Sequence, residues 1–248
     1  MTLRPAILLT LLLATSMTHA DRTPPGGIQE NAGEAWAFKL TPSYYLTANE
    51  PEATDLNLRA NHGGHALWLG HYRRSGEFEQ TRAGYEYMAQ APWGQLVPSL
   101  QVATHGFVGG SVNALVGNDL YGIVGVGRTN ARDYYNLNFD PNDSVAYGLG
   151  TRLLPRSNVS LFTVKDNRFH TGQMVTHWVW RFLPDDRQRW TVDLSSKHGR
   201  PSADADSVSG TAASLTYDYG NVFLRLARDR KVNFSNDDQT RISLGARF

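Results

Sequence analysis

The sequence predicts an all-β protein, an antiparallel up-and-down barrel that spans a membrane over residues 35–248, with about 12 strands and 14 as the alternative. Three observations carry this. Apolar and polar residues alternate with a period of two along short runs from Ala35 to the C-terminus. The connections between runs are alternately tight and long. No stretch after residue 20 is long and apolar enough for a membrane helix. A chain of this kind that enters a membrane must close its strands, because only helices and closed barrels satisfy their backbones in lipid.

The bounds come first. The chain has 248 residues, with 24 Lys+Arg against 23 Asp+Glu and a formal net charge of +1. That balance argues against a nucleic-acid partner, which calls for a basic excess. Cysteine is absent, which removes disulfides and thiolate metal sites. Residues 1–20, "MTLRPAILLTLLLATSMTHA", have Arg4, then an apolar run from Ala6 to Ala14 broken only by Thr10, then small residues at Thr18 and Ala20. This is the pattern of a secretory signal peptide cleaved after Ala20. Residues 21–34 are Pro/Gly-rich and polar and read as a flexible lead-in.

The strands follow from the alternation. "AWAFKLTPSYYLT" sets Trp36, Phe38 and Leu40 against Lys39, Thr41 and Ser43. "DLNLRAN" sets Leu56 and Leu58 against Asn57 and Arg59, and "TRAGYEYMAQ" sets Ala83, Tyr85 and Tyr87 against Arg82 and Glu86. "LVPSLQVATH" sets Leu96, Leu100 and Val102 against Ser99 and Gln101. Further on, "SVAYGLGTRLL", "QMVTHWVWRFL", "RWTVDLSSK", "ASLTYDYG" and "NVFLRLARD" repeat the pattern, with Arg152, Arg181, Asp193, Asp218 and Arg225 on the polar side. "HALWLGHYRR", "LYGIVGVGRT" and "VSLFTVKD" have no fixed phase, because either set of alternate residues is apolar.

"NHGG", "APWGQ", "LPRSN", "LPDDRQ" and "DYGN" are tight turns rich in Pro, Gly, Asp and Asn. Between them lie long polar segments at 130–143, 166–172, 198–207 and 229–238. Short turns at one end and long loops at the other are the asymmetry of an outer-membrane barrel. At roughly 18–20 residues per strand with its connection, the mature length gives about 12 strands. Division segment by segment gives about 13 or 14, depending on whether 95–130 holds one bent strand or two.

Alternation alone does not say which face meets lipid. Tyr and Trp near the ends of the apolar stripes fit aromatic girdles, and the opposite face is rich in Gly, Ser, Thr, Asn and Arg. The final segment "RISLGARF", with Ile242, Leu244, Ala246 and Phe248, resembles the C-terminal strand of Gram-negative outer-membrane β-barrel proteins. That resemblance implies an outer-membrane location. It also implies that these four residues are read by the barrel-assembly machinery. The last strand is then expected to pair with the first, near Trp36 and Phe38, leaving no open edge.

On the expected inner face stand Arg59, Arg82, Arg152, Arg181, Arg225, Arg241 and Arg247, with Asp55, Glu86, Asp193 and Asp218 against them. A narrow pore so lined favours anions, which resembles the small channels for acidic oligosaccharides. The alternative is that Arg–carboxylate pairs plug the barrel as a salt-bridge network. A lipid-modifying enzyme of the lipase or deacylase type is a second function class. It requires a Ser/His site near the outer interface, for which His105, Ser111, His170, His177, Ser195, Ser196 and His198 supply residue types but no motif. No catalytic residue is assigned. A soluble exported β protein is the third class.

The segment "GRTNARDYYNLNFDPNDS" carries Tyr134, Tyr135, Asn136, Asn138, Asp140, Asn142 and Asp143. Its alternating Asn and Asp supply oxygen ligands of the kind calcium takes, but it lacks the Gly and distal Glu of an EF-hand. The competing expectation is a long loop held by Asx-turns, folded over or into the barrel mouth and packed down by Tyr134, Tyr135 and Phe139. No cofactor is expected beyond calcium at 136–143. The expected partners are outer-membrane lipid and the assembly machinery, with the chain a monomer.

Overall fold

A computed structural model describes residues 35–137 and 140–248. The leader 1–20, the lead-in 21–34, Asn138 and Phe139 lie outside the described residues. The strands in chain order are β1 (Ala37–Thr47), β2 (Ala53–His62), β3 (His65–Arg74), β4 (Phe78–Tyr87), β5 (Ala89–Ala91), β6 (Gly94–Ala103), β7 (Phe107–Gly117) and β8 (Leu120–Thr129). They continue as β9 (Ser144–Thr151), β10 (Ser157–Asp166), β11 (Met174–Asp185), β12 (Gln188–Gly199), β13 (Val208–Tyr219), β14 (Val222–Asp229) and β15 (Gln239–Arg247).

Every pairing is antiparallel between chain neighbours, and β1 pairs with β15. The short β5 keeps on β6 the register that β4 has there (Glu86 opposite Ser99, Ala89 opposite Leu96), so it continues β4 past Met88. Fourteen strands therefore close the barrel, the upper of the two numbers expected. The segment 95–130, open between one bent strand and two, decides between 13 and 14 in the segment-by-segment count. "VGGSVNALVGNDLYGIVGVG" is β7 and β8, turned at 118–119, rather than one bent strand.

The seam is closed as expected. The Phe38 amide donates to the Phe248 carbonyl at 2.8 Å, the Phe248 amide returns to Phe38 at 3.0 Å, and the two rings stack at 5.8 Å. Lys39 faces Arg247 and Tyr44 faces Ile242 in the register.

At the end where β1 begins, the connections are 63–64, 92–93, 118–119, 152–156, 186–187 and 220–221. At the other end they include 130–143, 167–173, 200–207 and 230–238, although 75–77 and 104–106 there are as tight as the turns opposite. The long loops mark the extracellular end. Outward positions are apolar: Leu149 is 72 % exposed and Leu244 59 %. In water such a belt would be an association surface, and in lipid it is the solvated face. The aromatic girdle is dense at the periplasmic rim, with exposed Trp36, Tyr87, Trp93, Tyr219 and Phe248, and with Trp190 stacked on Tyr217 at 4.3 Å.

The unphased segments resolve through their neighbours' register. In β3, Leu67 and Leu69 face out, while Trp68 and the fully buried Tyr72 face in. In β8 and β10, Tyr121, Ile123, Phe162 and Val164 turn inward and pack with Leu115 and Val179. This sector of the lumen is apolar, in contrast to the Arg-bearing inner face of the strands whose phase the alternation fixes. The reason is the small inner residues of β9. A side chain at Gly150 would strike the Tyr121 ring at 2.2 Å, so that ring lies over the glycine and fills its space, and one at Gly148 would strike the Cβ of Phe162 and the Leu161 carbonyl at 2.4 Å, so the neighbouring strand packs close there.

Candidate functional site: a loop folded into the lumen

The 130–143 loop turns into the barrel. Its foot is tied by Asp143, whose carboxylate accepts from the Thr129 amide at 3.1 Å, the Thr129 hydroxyl at 2.5 Å and Arg168 Nη1 at 2.7 Å. Tyr134 packs against Phe107 with centroids 4.7 Å apart, and Gln101 donates to its phenol at 2.7 Å. Burial pushes that phenol up to about 12, so it stays neutral. Tyr135 stacks on Tyr72 at 4.6 Å. Its amide donates to Gln80 Oε1 at 2.7 Å and its carbonyl accepts from Gln80 Nε2 at 3.0 Å, so one buried side chain replaces the β-ladder for that residue.

The loop then reaches the opposite wall. Asn136 donates from Nδ2 to the Asp140 carbonyl at 2.7 Å. Arg241 donates to the Leu137 carbonyl at 3.3 Å. Asp140 lies 3.0 Å from His177 Nε2, and His177 Nδ1 lies 3.0 Å from Asp193. The imidazole is stacked flat on Phe162, with centroids 4.9 Å apart. The loop is thus held on both sides of the lumen.

Ion pairs line the inner wall. Arg59 pairs with Glu86 at 2.9 Å and Arg82 with Asp55 at 2.8 Å. Asp218 lies between Arg189 at 3.0 Å and Arg247 at 2.5 Å, and Lys197 pairs with Asp229. Bordered by the loop's Tyr134 and Leu137 is a chamber of about 120 Å³. Lys39, Arg59, Arg82, Arg225 and Arg241 line it, with Asp55 the carboxylate among its lining residues. Arg225 also donates to Thr216 Oγ1 at 3.0 Å.

The residues singled out from the sequence divide clearly. Arg59, Arg82, Arg225 and Arg241 meet at the chamber. Arg181 is buried, and Arg247 sits lower, with Asp218. Arg152 is not on a strand as expected. β9 ends at Thr151, and its guanidinium lies over the Tyr121 ring at 4.5 Å, with Nη1 on the Asn118 carbonyl at the periplasmic turn. Arg189 and Asp229 were missed as inner-wall residues. Extending the alternation from Trp190 and from Leu226 by one and three positions would have placed both inside.

Tyr134, Tyr135, Asn136, Asp140, Asn142 and Asp143 are all buried, and Asn138 lies outside the described residues. The carboxylates of Asp140 and Asp143 are engaged by protein donors. Among the described residues no group of three or more His, Asp or Glu converges as a metal would need.

Of the nucleophile–base candidates, His177 has both ring nitrogens on carboxylates and so offers none to Ser195, its register partner. His105 sits in the 104–106 turn, while Ser111 bonds Ser99 at 2.8 Å. His198 faces outward at the extracellular end, with Nδ1 3.0 Å from Ser209 Oγ and Nε2 3.2 Å from Ser207 Oγ.

No protein-family model matches the sequence, and no curated protein matches it. Among solved structures, the fold is similar to that of the Acinetobacter baumannii outer membrane protein Omp33, with 8 % identity and a TM-score of 0.51 over 87 % of this chain and 100 % of that one. Looser similarities include the KdgM porin (9 % identity, TM-score 0.48, 84 % and 98 % of the two chains) and Pseudomonas aeruginosa OccK5 (8 %, 0.48, 86 % and 97 %). With its closed antiparallel wall, apolar outer belt and periplasmic aromatic girdle, the chain is a β-barrel of the Gram-negative outer-membrane type.

Proposed function

We propose that the protein is a narrow outer-membrane pore, constricted by the 130–143 loop and selective for small anions. The observation that carries this is the chamber beside the loop, where Lys39, Arg59, Arg82, Arg225 and Arg241 converge against Asp55. Arginine holds its charge at any working pH, and a ring of such charges in a constriction raises the local anion concentration. The ion pairs along the rest of the wall keep the path narrow. Planar-bilayer recording tests this reading. Wild-type channels should pass chloride in preference to potassium, and Arg225→Gln should lower that preference about twofold or more. Absence of conductance, or preference for cations, overturns it.

The geometry of His198, Ser207 and Ser209 supports a second reading, a lipid-modifying site at the outer rim. With Nδ1–H donating to Ser209, Nε2 is free to accept from Ser207, the arrangement that activates a serine. Labelling of Ser207 by a fluorophosphonate supports it. Unlabelled protein and unchanged phospholipid sink it.

Export through residues 1–20 is supported by their sequence, and mature protein from outer membranes should begin at Asp21. Ile242, Leu244, Ala246 and Phe248 are proposed as the signal for the assembly machinery, and the chain as a monomer bathed in membrane lipid.

A further inference from the structure

On the lipid side of the barrel a slot runs across β4, β6, β7 and β8. Tyr85, Leu100, Gly110 and Arg128 are successive register partners across these four strands, and Pro98, Val112 and Val126 form the parallel row. The slot opens because Gly110 contributes no side chain between Leu100 and Arg128. It has a volume of about 410 Å³ and is walled almost wholly by apolar groups. With strands about 4.8 Å apart, it extends about 14 Å from Tyr85, midway along the strand that β4 and β5 form together, to Arg128, one residue from the extracellular end of its own.

Arg128 differs from Arg73 and Arg228, outward arginines at the same end of the barrel. Arg73 pairs with Glu79 at 3.2 Å, and Arg228 with Asp238 at 3.0 Å. Among the described residues no carboxylate pairs with Arg128. Its Nη1 rests on two neutral oxygens, Gly127 O and Asn167 Oδ1, both at 2.7 Å, which fix the guanidinium without neutralising it. Lys165, also exposed and without a carboxylate partner among the described residues, stands two strands away, level with Val126 through Val145. Two unneutralised cations therefore flank the outer end of an apolar slot, on the face that meets the outer leaflet.

In a bilayer such a slot is filled by an acyl chain, because an empty one forfeits its dispersion contacts. The cations decide which lipid supplies the chain. A guanidinium held by its own backbone is preorganised for a phosphate oxygen, and a second cation nearby suits a second phosphate. We propose that this slot seats one acyl chain of a bis-phosphorylated outer-leaflet glycolipid, lipid A, with its phosphates on Arg128 and Lys165. The site is on the opposite side of the wall from the lumen and stands independently of the pore.

Native mass spectrometry of the intact protein in detergent tests this, with lipid A, phosphatidylethanolamine and inorganic phosphate as probes. Wild type should retain lipid A in preference to phosphatidylethanolamine. Arg128→Gln with Lys165→Gln should weaken that retention about tenfold or more. Gly110→Val leaves the charges intact and fills the slot, its Cβ meeting Leu100 Cδ2 and the Ser99 carbonyl at 3.3 Å each, and it should also weaken retention. A heat-modifiable gel shift confirms that each variant folds, and Gly110→Ala replaces Gly110→Val with a smaller loss if the latter fails to fold. Equal retention of the two lipids, retention unchanged in the charge variant, or full displacement by equimolar inorganic phosphate overturns the proposal.

Discussion

His177 of β11 and Asp140 of the inward loop meet at 3.0 Å inside the barrel, and Asp193 of β12 backs the same imidazole at 3.0 Å on its other nitrogen. The loop carries the Asp, the wall carries the His, and the flat stack on Phe162 fixes the ring between them. His177→Ala removes the wall's hold and leaves two carboxylates facing each other. Their repulsion should push the loop off the wall, raising single-channel conductance several-fold or adding a noisy open state. His177→Gln, which keeps a donor, should show a smaller change. Conductance identical to wild type would mean that the loop is held elsewhere.

On the other side, Gln80 alone satisfies the amide and carbonyl of Tyr135. Gln80→Ala leaves both buried groups unpaired, a loss of about 1–3 kcal/mol per group where no water replaces the side chain. The barrel wall does not depend on this residue. Hydrogen exchange at the Tyr135 amide should therefore accelerate strongly while the barrel's heat-modified gel shift moves little. Unchanged exchange would show that the Tyr72 stack suffices.

Phe248 contributes a carbonyl, an amide and a ring to the β1 seam. Phe248→Ala keeps both backbone bonds and loses the stack, about 0.5–1.5 kcal/mol. If the residue also carries the assembly signal, folded protein in outer membranes should fall far more than that modest loss explains. Refolding of the purified variant into vesicles should proceed nearly as for wild type. Equal losses in both settings would assign Phe248 to the seam alone.

Asp238, in the 230–238 loop, is held below the usual carboxylate range by the Lys231 amide, with Arg228 adding to the effect. A depressed pKa gives a contribution that is complete above the unfolded value, near 3.9 for Asp, and lost as pH falls through the folded value. The loop should therefore stay ordered down to about pH 4 and loosen only below it. Asp238→Asn should leave the loop loose above about pH 4 and make it no looser than wild type at the acid end. Exchange of the Lys231 amide against pH reads both.

Leu40, Leu58, Tyr85, Leu194, Leu224 and Leu244 stand outward where the alternation puts them, because one set of alternate residues in those runs is apolar and the other is not. The closure of β15 on β1 was expected because a membrane barrel leaves no open edge, and the two kinds of connection were legible in their length and turn residues. In β3, β8 and β10 both sets are apolar, so period two leaves the phase open. It was settled by hydrogen bonding to neighbours whose own phase was fixed, and by glycines on β9 that make room for Tyr121 and Phe162. Strand number was likewise open, since it depended on whether Gly117–Tyr121 turns back or runs on.

The residue sequence by itself determined an antiparallel β-barrel and, in most strands, which residues share a face, since those conclusions need only local period and turn chemistry, while its lipid-facing sense was drawn from the resemblance of the last strand. Only the tertiary structure decided that Asp140 would reach His177, that Asp218 would hold Arg189 and Arg247, and that Arg128 and Lys165 would flank an apolar slot. Such contacts join residues far apart in the chain or brought to one height by the register. Only the closing of the barrel fixes these distances.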